Sequence, residues 1–285
     1  MDGMTADSHR KTVLVLGATG KTGRRVAARM RLRGHLVRPA SRTSEVPFDW
    51  SDPQTWDAAL RGAECAYVIS PGAPGPVHDL VTRARQAGVR RLVLLSGRGA
   101  DNWGDSSFGL DMLDAESAVR DSGLEWTILR PNNFDQNFSE ELFHGPVVAG
   151  ELALPAGDVP EPFIDIEDVA DVAATVLSEP GRHVERTYEL SGPRAITFGE
   201  AVALIARATG RSITYKRISP AEYIAALVED GLSESDAGHL AGMYDIMERG
   251  LIADTTAEID ALLGRPARTF EDYVLRTAAL GVWDR

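Results

Sequence analysis

"VLVLGATGKTGRRVA", Val13–Ala27, is the stretch whose reading decides the fold. An apolar run of strand character breaks into Gly17-Ala18-Thr19-Gly20-Lys21-Thr22-Gly23 and then passes into a basic stretch with helical spacing. Glycine supplies the backbone angles of a tight turn there. Its missing Cβ lets a pyrophosphate reach the amides, and a helix start adds partial positive charge. Gly17, Thr19, Gly20, Lys21, Thr22 and Gly23 are therefore the candidate phosphate-loop residues. Gly20-Lys21-Thr22 also invites an ATP-binding reading. That loop needs a glycine five residues before Gly20, and Val15 stands there, so the reading fails.

Outward from this loop, short apolar runs alternate with helix-like stretches. Thr12–Leu16, Leu36–Ala40, Cys65–Ile69, Arg91–Leu95 and Trp126–Leu129 read as strands. Thr22–Arg33, Thr55–Leu60, Val77–Ala87 and Asp111–Asp121 read as the helices between them. Gly34, Gly62, Gly88 and Gly123 fall where a helix closes in the left-handed conformation. The alternation predicts an α/β protein with a doubly wound parallel sheet, whose ligands sit at the carboxyl ends of the strands. After Arg130 the rhythm changes. Ser or Thr followed three residues later by Glu (Thr197/Glu200, Ser219/Glu222, Thr255/Glu258) marks helix starts, predicting a smaller, mostly helical C-terminal lobe. The organisation expected is a flexible leader over 1–10, a nucleotide-binding domain over 11–150 and a helical lobe over 151–285. That lobe is interleaved with the sheet around 160–192, where Tyr188–Leu190 returns as a strand.

The whole chain has 285 residues, a net charge of −12 and one cysteine. The acidic balance excludes nucleic acid as a main partner, since phosphate backbones need a basic face. Cys65 alone supports neither a disulfide framework nor a cysteine metal site and reads as a buried strand thiol. The histidines are scattered, with none in a ligand-spaced pair, so no metal is expected. No apolar run is long enough to span a membrane. A cytoplasmic protein follows, monomer or homodimer, acting on a small molecule.

The second strand's end chooses the dinucleotide. NAD sites place Asp or Glu there for the ribose 2′-hydroxyl, whereas NADP sites place a cation for the 2′-phosphate. "LVRPASRTS", Leu36–Ser44, carries no acid, and Ser41-Arg42 closes the strand. NADP(H) is expected over NAD(H), with Ser41 and Arg42 on the 2′-phosphate and Lys21 as a helper. The bland alternative makes Arg42 a solvated cation.

The phosphate loop, Phe48-Asp49-Trp50, "GLEWTILRPNNFDQN" (Gly123–Asn137), "FIDIEDVADVAATVL" (Phe163–Leu177) and "GRPARTFEDYV" (Gly264–Val274) together carry a resemblance. The chain resembles the NmrA-like branch of the atypical short-chain dehydrogenases, near bacterial relatives of the ergot-alkaloid, agroclavine-type reductases. The resemblance implies a Rossmann fold, with Asp49 and Trp50 near the adenine and Ser70 and Pro71 beside the cofactor. It places Ser96 near the nicotinamide and Asn133, Phe134 and Asn137 on the substrate side. Phe163, Tyr223 and Tyr244 are expected to complete the substrate pocket. Asp165 and Asp168 are expected to cap the helix that follows them.

Catalysis is less legible. Ordinary short-chain dehydrogenases pair Tyr with a Lys four residues on, which eases proton delivery. The only lysines are Lys11, Lys21 and Lys216, and none follows a tyrosine at that spacing. Two classes remain open. One is an NADPH-dependent reductase passing hydride to an iminium, an activated C=C bond or a quinone, possible catalytic residues being Ser96, Asp111 and Asn133. The other is an NADP(H)-binding redox sensor without turnover.

Overall fold

The computed structural model describes residues 10–104, 106, 108–179 and 181–284; the expected leader falls outside them except for Arg10. The described residues form nine strands: β1 (Thr12–Leu16), β2 (Leu36–Ser41), β3 (Val46–Pro47), β4 (Cys65–Ile69), β5 (Arg91–Leu95), β6 (Glu125–Pro131), β7 (Glu151–Leu154), β8 (Arg186–Leu190) and β9 (Thr214–Arg217). Seven of them make one parallel sheet in the order β3-β2-β1-β4-β5-β6-β8. The chain starts in the middle, winds outward to β3, then returns past β1 to wind the other way. The reversal puts a crevice at the carboxyl end of β1, directly under the glycine loop.

Both faces of this sheet are covered, which is why its strands read as continuous apolar runs. Val13 and Val15 turn to one face with Tyr67, Val93 and Leu129, while Leu14 and Leu16 turn to the other with Val68, Leu94 and Ile128. Helices α1 (Lys21–Leu32) and α7 (Ile166–Ser178) cover the first face. Helices α2 (Trp56–Leu60), α3 (Pro76–Gln86) and α4 (Leu110–Arg120) cover the second. Gly34, Gly62, Gly88 and Gly123 all have positive φ, as their positions after helices require. Cys65 lies buried in β4, where burial pushes its thiol up to about 11 and leaves it unreactive.

The remaining helices are α5 (Asn137–Glu140), α6 (His144–Ala149), α8 (Phe198–Thr209), α9 (Pro220–Glu229), α10 (Glu234–Glu248), α11 (Glu258–Leu263) and α12 (Phe270–Ala279). Most of them, with the small parallel pair β7-β9, form the second lobe around Phe138, Phe143, Phe163, Phe198, Phe270 and Trp283. Phe138 and Phe143, which precede residue 150, pack in this aromatic core. Thr197 with Glu200 and Ser219 with Glu222 form the expected capping boxes. Thr255 does not: α11 starts at Glu258 behind Ala257, and no side chain caps it.

Helix α7 is tied to α1 by charge. Arg25 Nε meets Glu167 at 2.6 Å, and Arg29 Nε meets Asp171 at 2.9 Å. Asp165 caps α7, accepting from the Glu167 amide at 2.9 Å. Asp168, expected as a second cap, instead holds Arg265 at 2.7 Å together with Arg268.

The glycine loop is close-packed. Gly17 has φ +61°, and a Cβ on Gly23 would stand 2.2 Å from the Gly17 carbonyl oxygen. Gly→Ala inside a helix ordinarily stabilises by up to about 1 kcal/mol. Here overpacking reverses the sign, and Gly23→Ala is expected to destabilise by about 1–3 kcal/mol. Urea unfolding checks this; a midpoint equal to or above that of the parent contradicts the close approach.

Candidate functional site

Helix α1 begins at the end of the glycine loop with Gly20 as N-cap, no side-chain cap and no acid in its first turn. Its amides are thus open to an anion, and Gly23 lets α1 start against the loop, where a Cβ would collide with the Gly17 carbonyl. These are the features that a dinucleotide's pyrophosphate fits.

At the adjacent edge, the Ser41 hydroxyl is 2.8 Å from that of Ser44, and the Phe48 amide donates to the Ser41 carbonyl at 3.0 Å. Arg42 is exposed just beyond. Asp49 accepts from the Ser51 hydroxyl (2.7 Å) and amide; these bonds, with the field of Arg42, hold its carboxyl below the usual range. Trp50 packs edge-on against Phe48 and Trp56, with ring centroids 5.0 and 5.6 Å away. Arg38 turns away from this corner to the Ala59 carbonyl at 2.9 Å.

A cavity of about 470 Å³ opens beyond the ends of β4, β5 and β6. Ser70, Ser96, Asp111, Asn133, Phe134 and Asn137 all line it, as do Lys21, Asn132 and Glu141. Pro71 follows Ser70 but is not among the lining residues. Much of the wall is apolar: Trp103, Phe108 and Met112 on one side, Met243, Ile246 and Ile252 of the helical lobe on the other. The loop carrying Trp103 folds tightly around its indole, which donates to the Arg98 carbonyl at 3.1 Å. A Cβ on Gly109, φ +77°, would stand 1.9 Å from the ring.

Three expected substrate residues are elsewhere. Phe163 is buried in the aromatic core, its ring 5.0 Å from Phe198 and 5.5 Å from Phe138. Tyr223 and Tyr244 are packed against each other inside the lobe, hydroxyls 3.5 Å apart, and burial raises both phenols. The cavity takes Met243 and Ile246, the neighbouring faces of α10, in place of Tyr244. Lys21 is also redirected. Its ammonium meets Asn137 Oδ1 at 2.7 Å and Glu141 at 2.8 Å and lies 5.6 Å from the centre of the Phe134 ring. It therefore faces the cavity and is not committed to the corner of Arg42.

Beneath the cavity floor lie charges that the sequence pattern did not single out. Ser96 donates its hydroxyl to Glu116 at 2.6 Å, and Glu116 is fully buried with Arg130 Nη2 at 2.7 Å and Arg120 at 2.8 Å. Arg130 also holds Glu189 at 2.8 Å. Such a buried network fixes Ser96 firmly, because breaking any one pair strands an opposite charge. Arg130 is visible in the sequence as a charge inside an otherwise apolar strand, and that was the available signal. Ser70 likewise donates to Asp111. The amides of Asn133 converge on Glu161, backbone at 3.1 Å and side chain at 2.7 Å. The other Glu161 oxygen is buried with no partner among the described residues. His35 and His144 sit at loop edges, and exposed His78 pairs with Asp114 at 3.2 Å. Among the described residues, no group of three metal-ligating side chains occurs, and no helix is long and apolar enough to cross a membrane.

Burial pushes the Glu161 carboxyl up to about 7, overcoming the pull of the Asn133 donors. The folded form then binds its proton more tightly than the unfolded form. This contribution is complete below about pH 4.5 and is lost as pH rises toward 7. Glu161→Gln is expected to flatten the fall in stability between pH 4.5 and 7 by about 2–3 kcal/mol. Urea unfolding at pH 5 and pH 8 measures it; parallel losses in parent and variant contradict a buried proton on Glu161.

Residues 17–180 match a family model described as NAD(P)H-binding. The chain is 30% identical to the NAD(P)H azoreductase of Xenophilus azovorans over 94% of its own length and 98% of that protein. It is 29% identical to the agroclavine dehydrogenase of Claviceps fusiformis over 92% of its length and 96% of that protein. A solved structure of NmrA, a negative transcriptional regulator in complex with NADP, shares its fold. The TM-score is 0.74 at 17% identity, covering 95% of this chain and 96% of that one. The close-packed glycine loop, the open amides of α1 and these likenesses lead to one conclusion: the chain belongs to the NAD(P)H-binding family, among NAD(P)H-dependent oxidoreductases.

Proposed function

We propose that the protein is an NADPH-dependent reductase that passes hydride to a small, electron-poor organic acceptor such as a quinone, an iminium or an activated C=C bond. The cavity carries this reading. It adjoins the phosphate loop and strand ends, where a nicotinamide belongs, and it is walled by aromatic and aliphatic side chains with polar groups at a few points. A protein that only reported coenzyme redox state would need no such chamber beside the nicotinamide. The names of the azoreductase and the agroclavine dehydrogenase support the same class of chemistry.

The backbone of Gly17, Thr19, Gly20, Thr22 and Gly23 would hold the pyrophosphate, and Ser41 with Arg42 the 2′-phosphate. Asp49 and Trp50 would border the adenosine. Ser70, Pro71 and Ser96 would border the nicotinamide, with Asn133, Phe134 and Asn137 next to the acceptor. The dihydronicotinamide supplies the hydride when bound. The protein's part is to hold the acceptor against it and exclude water. For this, Ser70 and Ser96 are immobilised by Asp111 and Glu116. An iminium already carries the charge that draws hydride and needs no proton.

Arg42 is exposed, and no carboxylate among the described residues is paired with it, so it is available to a phosphate. Arg42→Ala is expected to weaken NADPH binding roughly ten- to a hundredfold, as removal of a charge-assisted contact does. NADH binding should change less than about twofold. Coenzyme fluorescence titration checks this, and equal weakening of both coenzymes removes the role from Arg42. Loss of reduced-nicotinamide absorbance with quinones, iminiums and enones tests turnover. Tight NADPH binding with no oxidation by any of them would instead favour a redox sensor.

A further inference from the structure

Resting on the reductase reading, we infer that Lys21 is the catalytic acid for neutral acceptors: the residue that meets the negative charge left by hydride addition and supplies the proton. A quinone or a polarised C=C bond that takes up hydride, two electrons with one hydrogen nucleus, becomes an anion. In an apolar cavity that anion needs a donor aimed at it. Among the described lining residues, Asp111 and Glu141 act as acceptors, from Ser70 and Lys21, and the other donors are turned elsewhere. The hydroxyls of Ser70 and Ser96 are turned onto Asp111 and Glu116. The Asn132 amide is committed to the Ile252 carbonyl at 2.9 Å, and that of Asn133 is turned onto Glu161. The Trp103 indole is bonded to the Arg98 carbonyl. Arg98 is shared between Glu189 at 3.1 Å and Asn132 at 3.0 Å, and a guanidinium does not release its proton.

Lys21 differs from all of these. An ammonium has three donors, and the structure engages two of them, with Asn137 and Glu141. The side chain is 16% exposed and lies over Phe134 on the cavity wall. Because Asn137 gives its oxygen to Lys21, its NH₂ is aimed the other way as a second donor. In the step proposed, the lone pair on the product anion forms an O–H or C–H bond as a Lys21 N–H bond breaks. The resulting amine takes a proton back from water beside Glu141, whose side chain is 60% exposed.

The test compares Lys21→Gln with the parent on a naphthoquinone and on a dihydroisoquinolinium iminium. The expected result is a kcat roughly a hundredfold lower on the quinone and within about threefold on the iminium. Coenzyme affinity should stay within about threefold. Lys21→Arg keeps the charge without a transferable proton. It is expected to stay slow on the quinone yet restore binding of ionised 4-nitrophenol, read by its absorbance with oxidised coenzyme present. Should Lys21→Gln fold poorly, Asn137→Leu removes the partner that aims the ammonium and should slow the quinone roughly tenfold. Equal losses on both acceptors, a change confined to coenzyme affinity, or unaltered phenolate ionisation would overturn the role of Lys21 while leaving the reductase reading intact. A parent protein that reduces neither acceptor would sink both.

Discussion

The approach of the Gly23 Cα to the Gly17 carbonyl is the constraint on which the rest of the molecule depends. It lets α1 start almost on top of β1, so that the helix amides, the strand ends and the reversal point of the sheet converge on one spot. A side chain at Gly23 would push the helix outward and separate the anion-binding amides from the crevice beside them. Everything proposed for the coenzyme follows from this short distance. So does the direction of Lys21, which leaves the first helical position toward the cavity.

Around that point the protein divides its polar groups by purpose. The floor of the site is stiff: buried Ser96, Glu116 and Arg130, with half-buried Glu189, form a mutually satisfied chain of charge and hydrogen bonds. The mouth is looser, with Glu141 mostly in solvent and Arg42 exposed at the neighbouring edge. Stiff donors turned away from a chamber leave its interior apolar, which suits a planar acceptor. They also concentrate the remaining proton chemistry at its rim.

The sheet half was legible because its signals are local. Each strand is a short apolar run ended by a turn, each helix closes on a glycine, and the phosphate loop carries its geometry in its residue types. The cavity was legible on its β6 side for the same reason, since Asn133, Phe134 and Asn137 follow directly from a strand end. Its far wall was not. Helix α10 carries apolar residues around much of its circumference, so nothing in the sequence says whether Met243 or Tyr244 faces inward. A single-residue rotation decides it. The cavity-facing direction of Lys21 depends on a partner 116 positions away, and the burial of Glu116 depends on Arg130 from another element. Spacing rules carry no information about such meetings.

The indole of Trp283 donates to the Phe138 carbonyl at 2.8 Å, joining positions 145 residues apart. The short helix that presents Asn137 is therefore braced from behind by the tail of the chain. During synthesis the nucleotide crevice can close around locally paired strands long before that brace exists, because near contacts form ahead of distant ones. The cavity wall that Asn137 forms is thus the part of the molecule held by the contact of longer span.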